Sequence, residues 1–151
     1  MISEVFLVGI EVKEIKYASS EYQLEVNLRH EVLRKPLGLK FSQEDLRAEK
    51  DDVHLGAFRG KALFGCLLLR KVSDTVVKMR QVAVDPHAQG TGVGRILVEA
   101  SEAKARELRY KEIELNARET AVPFYLKLGY EVVGETFGEV GLPHKKMRKS
   151  L

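Results

Sequence analysis

Apolar residues fall in short runs along this chain, and their period changes from one run to the next. Residues 10–15 alternate apolar and polar, as a half-buried strand does. Ser20 then offers a cap for a helix over residues 21–34, with Leu24, Leu28 and Val32 on one face. Pro36 and Gly38 break the chain, and Ser42-Gln43-Glu44-Asp45 has the capping pattern of a second, short helix ending near Glu49. Residues 53–58 and 62–69 are β-rich runs on either side of Arg59-Gly60-Lys61, which predicts a hairpin. Ser73-Asp74 is a further turn, and residues 75–84 a third strand of this group. Helical spacing returns at Val93, Ile96, Leu97, Ala100 and Ala103, predicting the main helix over residues 92–108. Residues 112–118 alternate again. Thr120 offers a cap for a short helix through Leu128, with Pro123 in its first turn and Gly129 just past its end. Residues 131–137 and 144–148 are expected to close the sheet as a terminal pair, after a short extension at residues 1–9. Taken alone, this pattern supports one α/β domain with an antiparallel middle over residues 1–151.

The join at residues 82–98 carries the most chemical information. Val82-Ala83-Val84 ends a strand at Asp85-Pro86, three glycines follow at alternate positions (Gly90, Gly92, Gly94), and a helix begins. Such a loop turns consecutive backbone N–H groups toward the positive end of a helix, which suits a phosphate or pyrophosphate. The spacing is G-x-G-x-G, not the G-x-x-G step of dinucleotide loops, and Gly94 is followed by Arg95-Ile96 rather than Lys-Ser/Thr.

Bulk properties narrow the class. The chain has 151 residues, 44% hydrophobic and 31% charged, as expected of a soluble globular domain. No apolar run is long enough to cross a membrane, and Met1-Ile2-Ser3-Glu4-Val5 lacks the basic start of a signal peptide. The lone cysteine, Cys66, lies in an apolar run, reads as a small buried hydrophobe, and fits a cytoplasmic protein. Net charge is +3, and the cluster Lys145, Lys146, Arg148 and Lys149 is expected to be a solvated terminal strand, not a nucleic-acid surface.

Gln89-x-x-Gly92-x-Gly94 resembles the Q/R-x-x-G-x-G/A signature of the GCN5-related N-acetyltransferases (GNAT superfamily), whose loop holds the pyrophosphate of acetyl-CoA. Asn116-Ala117-Arg118 followed by Phe124-Tyr125-Leu126-Lys127-Leu128-Gly129-Tyr130 is similar to that family's F-Y-x-K-x-G-F/Y segment. Two further patches, residues 28–34 and 141–147, look like the branch grouped with glyphosate N-acetyltransferase and the ElaA-type proteins. The resemblance covers residues 10–151 and implies the GNAT (acyl-CoA N-acyltransferase) fold: a mixed, mostly antiparallel sheet with helices on both faces. It also implies acetyl-CoA as cosubstrate, without a metal, bound by Val82, Ala83, Val84, Gln89, Gly90, Thr91, Gly92, Val93, Gly94, Arg95 and Asn116. A backbone N–H near Val82–Val84 would meet the reaction's oxyanion. The resemblance places Tyr125 near the cofactor sulfur and puts Arg29, Arg80, Arg118 and His144 in the acceptor pocket. Many members of the family dimerise, and a homodimer is compatible with the sequence.

These residues suit acetyl transfer. An alkyl amine is mostly protonated at neutral pH, so a base must take its proton; His144, with a reference pKa of about 6.5, is the best poised, with Glu139 a weaker candidate. Tyr125 can give the departing thiolate a hydrogen bond or a proton. His30, His54 and His87 match no acid or base position. Arginines are planar partners for carboxylate or phosphonate, so convergence of Arg29, Arg80 and Arg118 would select a small acidic amine, with the loop 35–41 as a mobile wall. A protein or peptide N-acetyltransferase, with an open acidic groove, and a non-catalytic acetyl-CoA sensor remain open alternatives.

Overall fold

The computed structural model describes residues 6–151; the first five residues of the expected N-terminal extension lie outside the described residues. Its strands are β1 (Glu11–Ile15), β2 (Val53–Arg59), β3 (Ala62–Lys71), β4 (Val76–Val84), β5 (Glu112–Arg118), β6 (Glu131–Glu139) and β7 (Leu142–Ser150). They make a 7-stranded sheet in the order β1-β2-β3-β4-β5-β7-β6. Every pairing is antiparallel except β4 with β5. The helices are α1 (Ser20–Arg29), α2 (Gln43–Arg47), α3 (Val93–Glu107) and α4 (Val122–Lys127). The order of elements matches the sequence expectation, and the mixed, mostly antiparallel sheet carries helices on both faces.

The main core lies between α3 and the sheet. Leu55, Leu67, Leu69, Val77, Met79, Ile113, Leu115 and Met147 meet Val93, Leu97 and Val98 there. Gly65 permits this approach, since a Cβ at that position would stand 2.6 Å from a Leu97 methyl. The buried stripe of α3 runs through Val93, Leu97, Val98, Ser101 and Ala105, while Ala103, expected inside, is exposed. Cys66 is fully buried, as expected.

Near α1 the structure corrects the sequence. The cap is Ser19, whose hydroxyl accepts from the Tyr22 N–H at 3.1 Å, and the α-helix stops at Arg29. A π-turn, His30–Arg34, continues it. Leu24 is 42% exposed, and the buried face is Tyr22, Glu25 and Arg29, so α1 presents charge to the sheet rather than an apolar stripe. Ser42 and Asp45 form the expected capping box of α2. Thr120 does not cap α4: a 3-10 turn, Glu119–Ala121, leads into it, and Ala121 holds the cap position.

The charge buried under α1 is self-contained. Arg29 is 0% exposed; its guanidinium donates to Glu25 at 2.7 Å and to both oxygens of Glu49. Tyr22 donates to Glu49 at 2.9 Å. Nδ1 of His54 faces the Glu25 carboxylate at 2.9 Å and Nε2 faces the Glu49 carbonyl at 3.0 Å. Both partners only accept, so both ring nitrogens donate and His54 is an imidazolium. Burial alone would lower its pKa, but the Glu25 hydrogen bond and charge outweigh burial and raise it. Burial likewise pushes the Glu49 carboxyl up, and Arg29 overrides it to hold the group low. Two cations and two anions thus close into a neutral cluster; removing one member leaves a buried charge, at a cost of about 3–5 kcal/mol.

Because the folded pKa of His54 lies above its unfolded value, its contribution is full below about pH 6.5 and fades as pH rises through the folded pKa. The stability gap between wild type and His54→Gln, measured by urea unfolding, should therefore be widest in mild acid and narrow toward alkaline pH. A gap that stays constant or widens with pH would refute the imidazolium.

Candidate active site

The site begins with an irregularity in β4. Between its pairs Cys66↔Ala83 and Leu68↔Arg80, β4 carries one more residue than β3, and Gln81 adopts φ 55°. This bulge turns β4 away from its other neighbour. The parallel pairing with β5 covers only Val76–Met79 against Glu112–Leu115, and beyond it the strands part. A cavity of about 410 Å³ opens in the wedge, walled by Arg80, Gln81 and Val82 of β4 and Asn116 and Arg118 of β5.

Tyr125 and His144 face this same cavity. Tyr125 comes from α4; its ring is buried with Phe124 and Tyr130 edge-on at 5.0 and 5.7 Å. Burial pushes its phenol pKa up, so the O–H keeps its proton. His144 pairs in register with Arg118, which sends both side chains from one face of the sheet. It is 4% exposed, and its Nδ1 lies 2.9 Å from the Leu142 carbonyl. A carbonyl only accepts, so Nδ1 carries a proton, and Nε2 is the ring nitrogen that can exchange one with a substrate. Nε2 in turn lies 3.5 Å from the Glu139 carboxylate. Asn116 donates to the other oxygen of Glu139 at 3.2 Å.

The arginines divide. Arg80 and Arg118 line the cavity as expected, but Arg29 does not: Glu25 and Glu49 hold it in the closed cluster under α1. The π-turn brings Arg34 to the cavity instead, a residue the sequence reading passed over. Its guanidinium stacks 4.4 Å from the Phe41 ring, on which Arg29 also stacks at 4.6 Å. Burial lowers the pKa of Arg34, with the nearby charges of Arg29 and Arg118 adding to it. Burial, then Arg70, does the same to Arg80.

The glycine loop adjoins the end of β4. Gly92 caps α3 in the left-handed region at φ 97°, and no side chain caps the helix. The first helical bond runs from Ile96 N–H to Gly92, so the N–H groups of Val93, Gly94 and Arg95 have no partner within the helix. Gln89 reaches back to the Val84 carbonyl at 3.2 Å. Thr91 is buried and spends both its hydroxyl and its N–H on the Ala88 carbonyl. Val93 and Ala83 are buried too, so neither side chain is presented to a ligand, and the Arg95 guanidinium is paired with Glu99 at 3.1 Å. Gly90 takes φ 78° in the same loop.

Elsewhere, the histidines expected to lie outside the chemistry differ in detail. His54 belongs to the buried cluster, and His87 is exposed beside Asp85 at 3.0 Å. Three of the four lysines and arginines of β7 are paired locally: Lys146 with Glu114, Arg148 with Glu131 and Lys149 with Glu102. Ligand atoms of Glu25, Glu49 and His54 lie within 4.8 Å of one another, as in a metal site, but Arg29 bridges the two carboxylates. Among the described residues no helix is long and apolar enough to cross a membrane.

Residues 18–151 match the acetyltransferase (GNAT) domain family. An uncharacterised N-acetyltransferase of Bacillus subtilis, YjcF, is 32% identical over 135 residues, covering 87% of this chain and 96% of that protein. The crystal structure of Escherichia coli ElaA superposes with a TM-score of 0.76 at 24% identity, over 93% of this chain and 99% of that one. A GNAT family acetyltransferase from Elizabethkingia anophelis with acetyl-CoA bound superposes at 0.74 with 17% identity, over 95% and 99% of the two chains.

The hairpin that carries Glu139 turns through Val140-Gly141, with φ of 47° and 78°. Two positive φ angles define a type I′ turn, which favours Asn-Gly and disfavours a β-branched residue. Val140→Asn should stabilise the fold by about 1 kcal/mol, read from the denaturant midpoint. An unchanged midpoint would mean that the valine carries no strain.

Proposed function

We propose that this chain, which belongs to the GNAT acetyltransferase family, moves the acetyl group of acetyl-CoA to the nitrogen of a small amine bearing a carboxylate or phosphonate. One observation carries the acceptor class: Arg34, Arg80 and Arg118 face the cavity that also holds Tyr125 and His144. A peptide groove would call for acidic walls, and a sensor has no need of a base and a hydroxyl donor aimed into one space.

Each part has a task. The cofactor's pyrophosphate suits the free N–H groups at the start of α3, and its thioester arm suits the parted edges of β4 and β5. An N–H near Val82–Val84 is the candidate donor to the oxyanion. The amine nitrogen attacks the thioester carbon; a C–N bond forms and the C–S bond breaks. His144 Nε2 accepts the proton the nitrogen loses, and Glu139, 3.5 Å away, stabilises the imidazolium. Tyr125 donates a hydrogen bond to the departing thiolate; its raised pKa keeps it an O–H donor while the proton returns to sulfur through His144 and water.

Release of coenzyme A thiol across a panel of amino acids, aminophosphonates, their neutral amides, polyamines and a lysine peptide tests this reading. Turnover should be confined to acids, and Tyr125→Phe should cut kcat at least about tenfold with little change in the KM for acetyl-CoA. Turnover on the peptide or polyamines instead would overturn the acceptor class, and an unchanged kcat would remove Tyr125 from the mechanism.

Gly92→Val forces a β-branched residue into φ 97° and against Leu7, 3.2 Å from the new Cβ. Calorimetry should show acetyl-CoA binding lost while the far-UV spectrum remains. Retained binding would contradict the loop assignment.

A further inference from the structure

The cavity holds more positive charge than one acidic group would answer. Among the described residues, Arg34, Arg80 and Arg118 have no carboxylate within ion-pair distance, 4.0 Å. Three acids wall the two chambers, each with hydrogen-bond partners of its own. Glu139 faces His144 and accepts from Asn116, Glu49 accepts from Arg29 and Tyr22, and Asp45 accepts from the Ser42 N–H at 2.9 Å. Guanidiniums that have lost water and gained like-charged neighbours are unfavourable until an anion arrives.

The three are also not equivalent in place. Arg118 ends β5 as the register partner of His144, so it stands at the reacting end. Arg34 and Arg80 come from the other walls, the π-turn and β4. They line both the main cavity and a second chamber of about 130 Å³, which Phe41, Arg70, Asp45 and Glu49 also wall. Arg70 is already committed to Asp52 at 2.8 Å, leaving Arg34 and Arg80 as the unpaired cations of that chamber. Arg34 is braced by Phe41, and Phe41 by the immobile Arg29.

We propose that the acceptor carries two acidic groups: one next to its amine, held by Arg118 beside His144, and a second, more distant one held by Arg34 and Arg80 where the two chambers adjoin. This rests on the acetyl-acceptor reading above and narrows it to dianionic amines of the dicarboxylic amino-acid kind.

The test compares acceptors of equal length that differ by one charge, using the purified full chain and thiol release. Glutamate should exceed glutamine, and aspartate asparagine, by at least about tenfold in kcat/KM, the worth of one charge-assisted hydrogen bond. Arg34→Gln and Arg80→Gln should collapse that ratio, whereas Arg118→Gln should lower both members of each pair alike. Equal kcat/KM for glutamate and glutamine, with both still preferred over their α-amides, would overturn the second acid and leave the acid acceptor standing. Turnover only on amines without an acid would overturn both. A readout independent of turnover is thermal stabilisation by glutarate against its monoamide. The dianion should raise Tm more in wild type, and the difference should vanish in Arg34→Gln. Equal shifts in wild type would overturn the proposal.

Discussion

The parting of β4 from β5 is the constraint on which the site depends. A sheet gains from pairing its central strands to their ends, and here the pairing stops after Met79. The bulge opposite Leu67, with Gln81 in a left-handed conformation, bends β4 out of register with β5. That conformation carries strain for a non-glycine residue, and it persists because the packing on both sides over-determines it. On one side α3 is pressed onto β3 through the gap left by Gly65. On the other, β2 is tied to α1 by buried charge. The wedge exposes backbone on both strands and aims Arg80, Val82, Asn116 and Arg118 into one space.

The charge cluster under α1 explains which arginine can serve that space. Glu25 and Arg29 sit at the i,i+4 spacing of a helical ion pair, so half of the pairing was visible in the sequence. Glu49 and His54 were not, because they arrive from the turn after α2 and from β2, and only the fold brings them to Arg29. Arg29 gives both terminal nitrogens to carboxylates and is 0% exposed, with only its Nε left without a partner, so it does not reach the cavity. It becomes a fixed post against which Phe41, and through it Arg34, is set. The five-residue step from Arg29 to Arg34 crosses the π-turn, a backbone change that propensity and periodicity do not register.

The same distinction sorts what the sequence could tell. Strands, hairpins, the α2 capping box and the glycine loop are local features, set by alternation, turn chemistry and permitted φ, and they appear where expected. The end of β4 and the placing of Tyr125 and His144 in one cavity agree with the motif spacing. What went astray depends on distant partners or on small energy differences. Caps at Ser19 rather than Ser20 and at Ala121 rather than Thr120 involve shifts of one residue. The apolar face assigned to α1 differs from the buried one because the sheet beneath the helix offers His54, a polar partner, to Glu25.

Charge placement joins these threads. The chain's net charge of +3 is mild and its basic residues are scattered. In the fold, however, three of the four basic residues clustered on β7 are paired with Glu114, Glu131 and Glu102, and Arg29 with its buried acids. Arg34, Arg80 and Arg118, which wall the cavity, have no ion-pair partner among the described residues. A concave site with low-dielectric walls concentrates the field of such groups, drawing anions inward. The cofactor's phosphates therefore meet a cleft walled by arginines that have no ion-pair partner among the described residues. Neutralising guanidiniums on binding lowers the cost they bear when empty, which is the physical basis on which the proposed acidic acceptor would be selected.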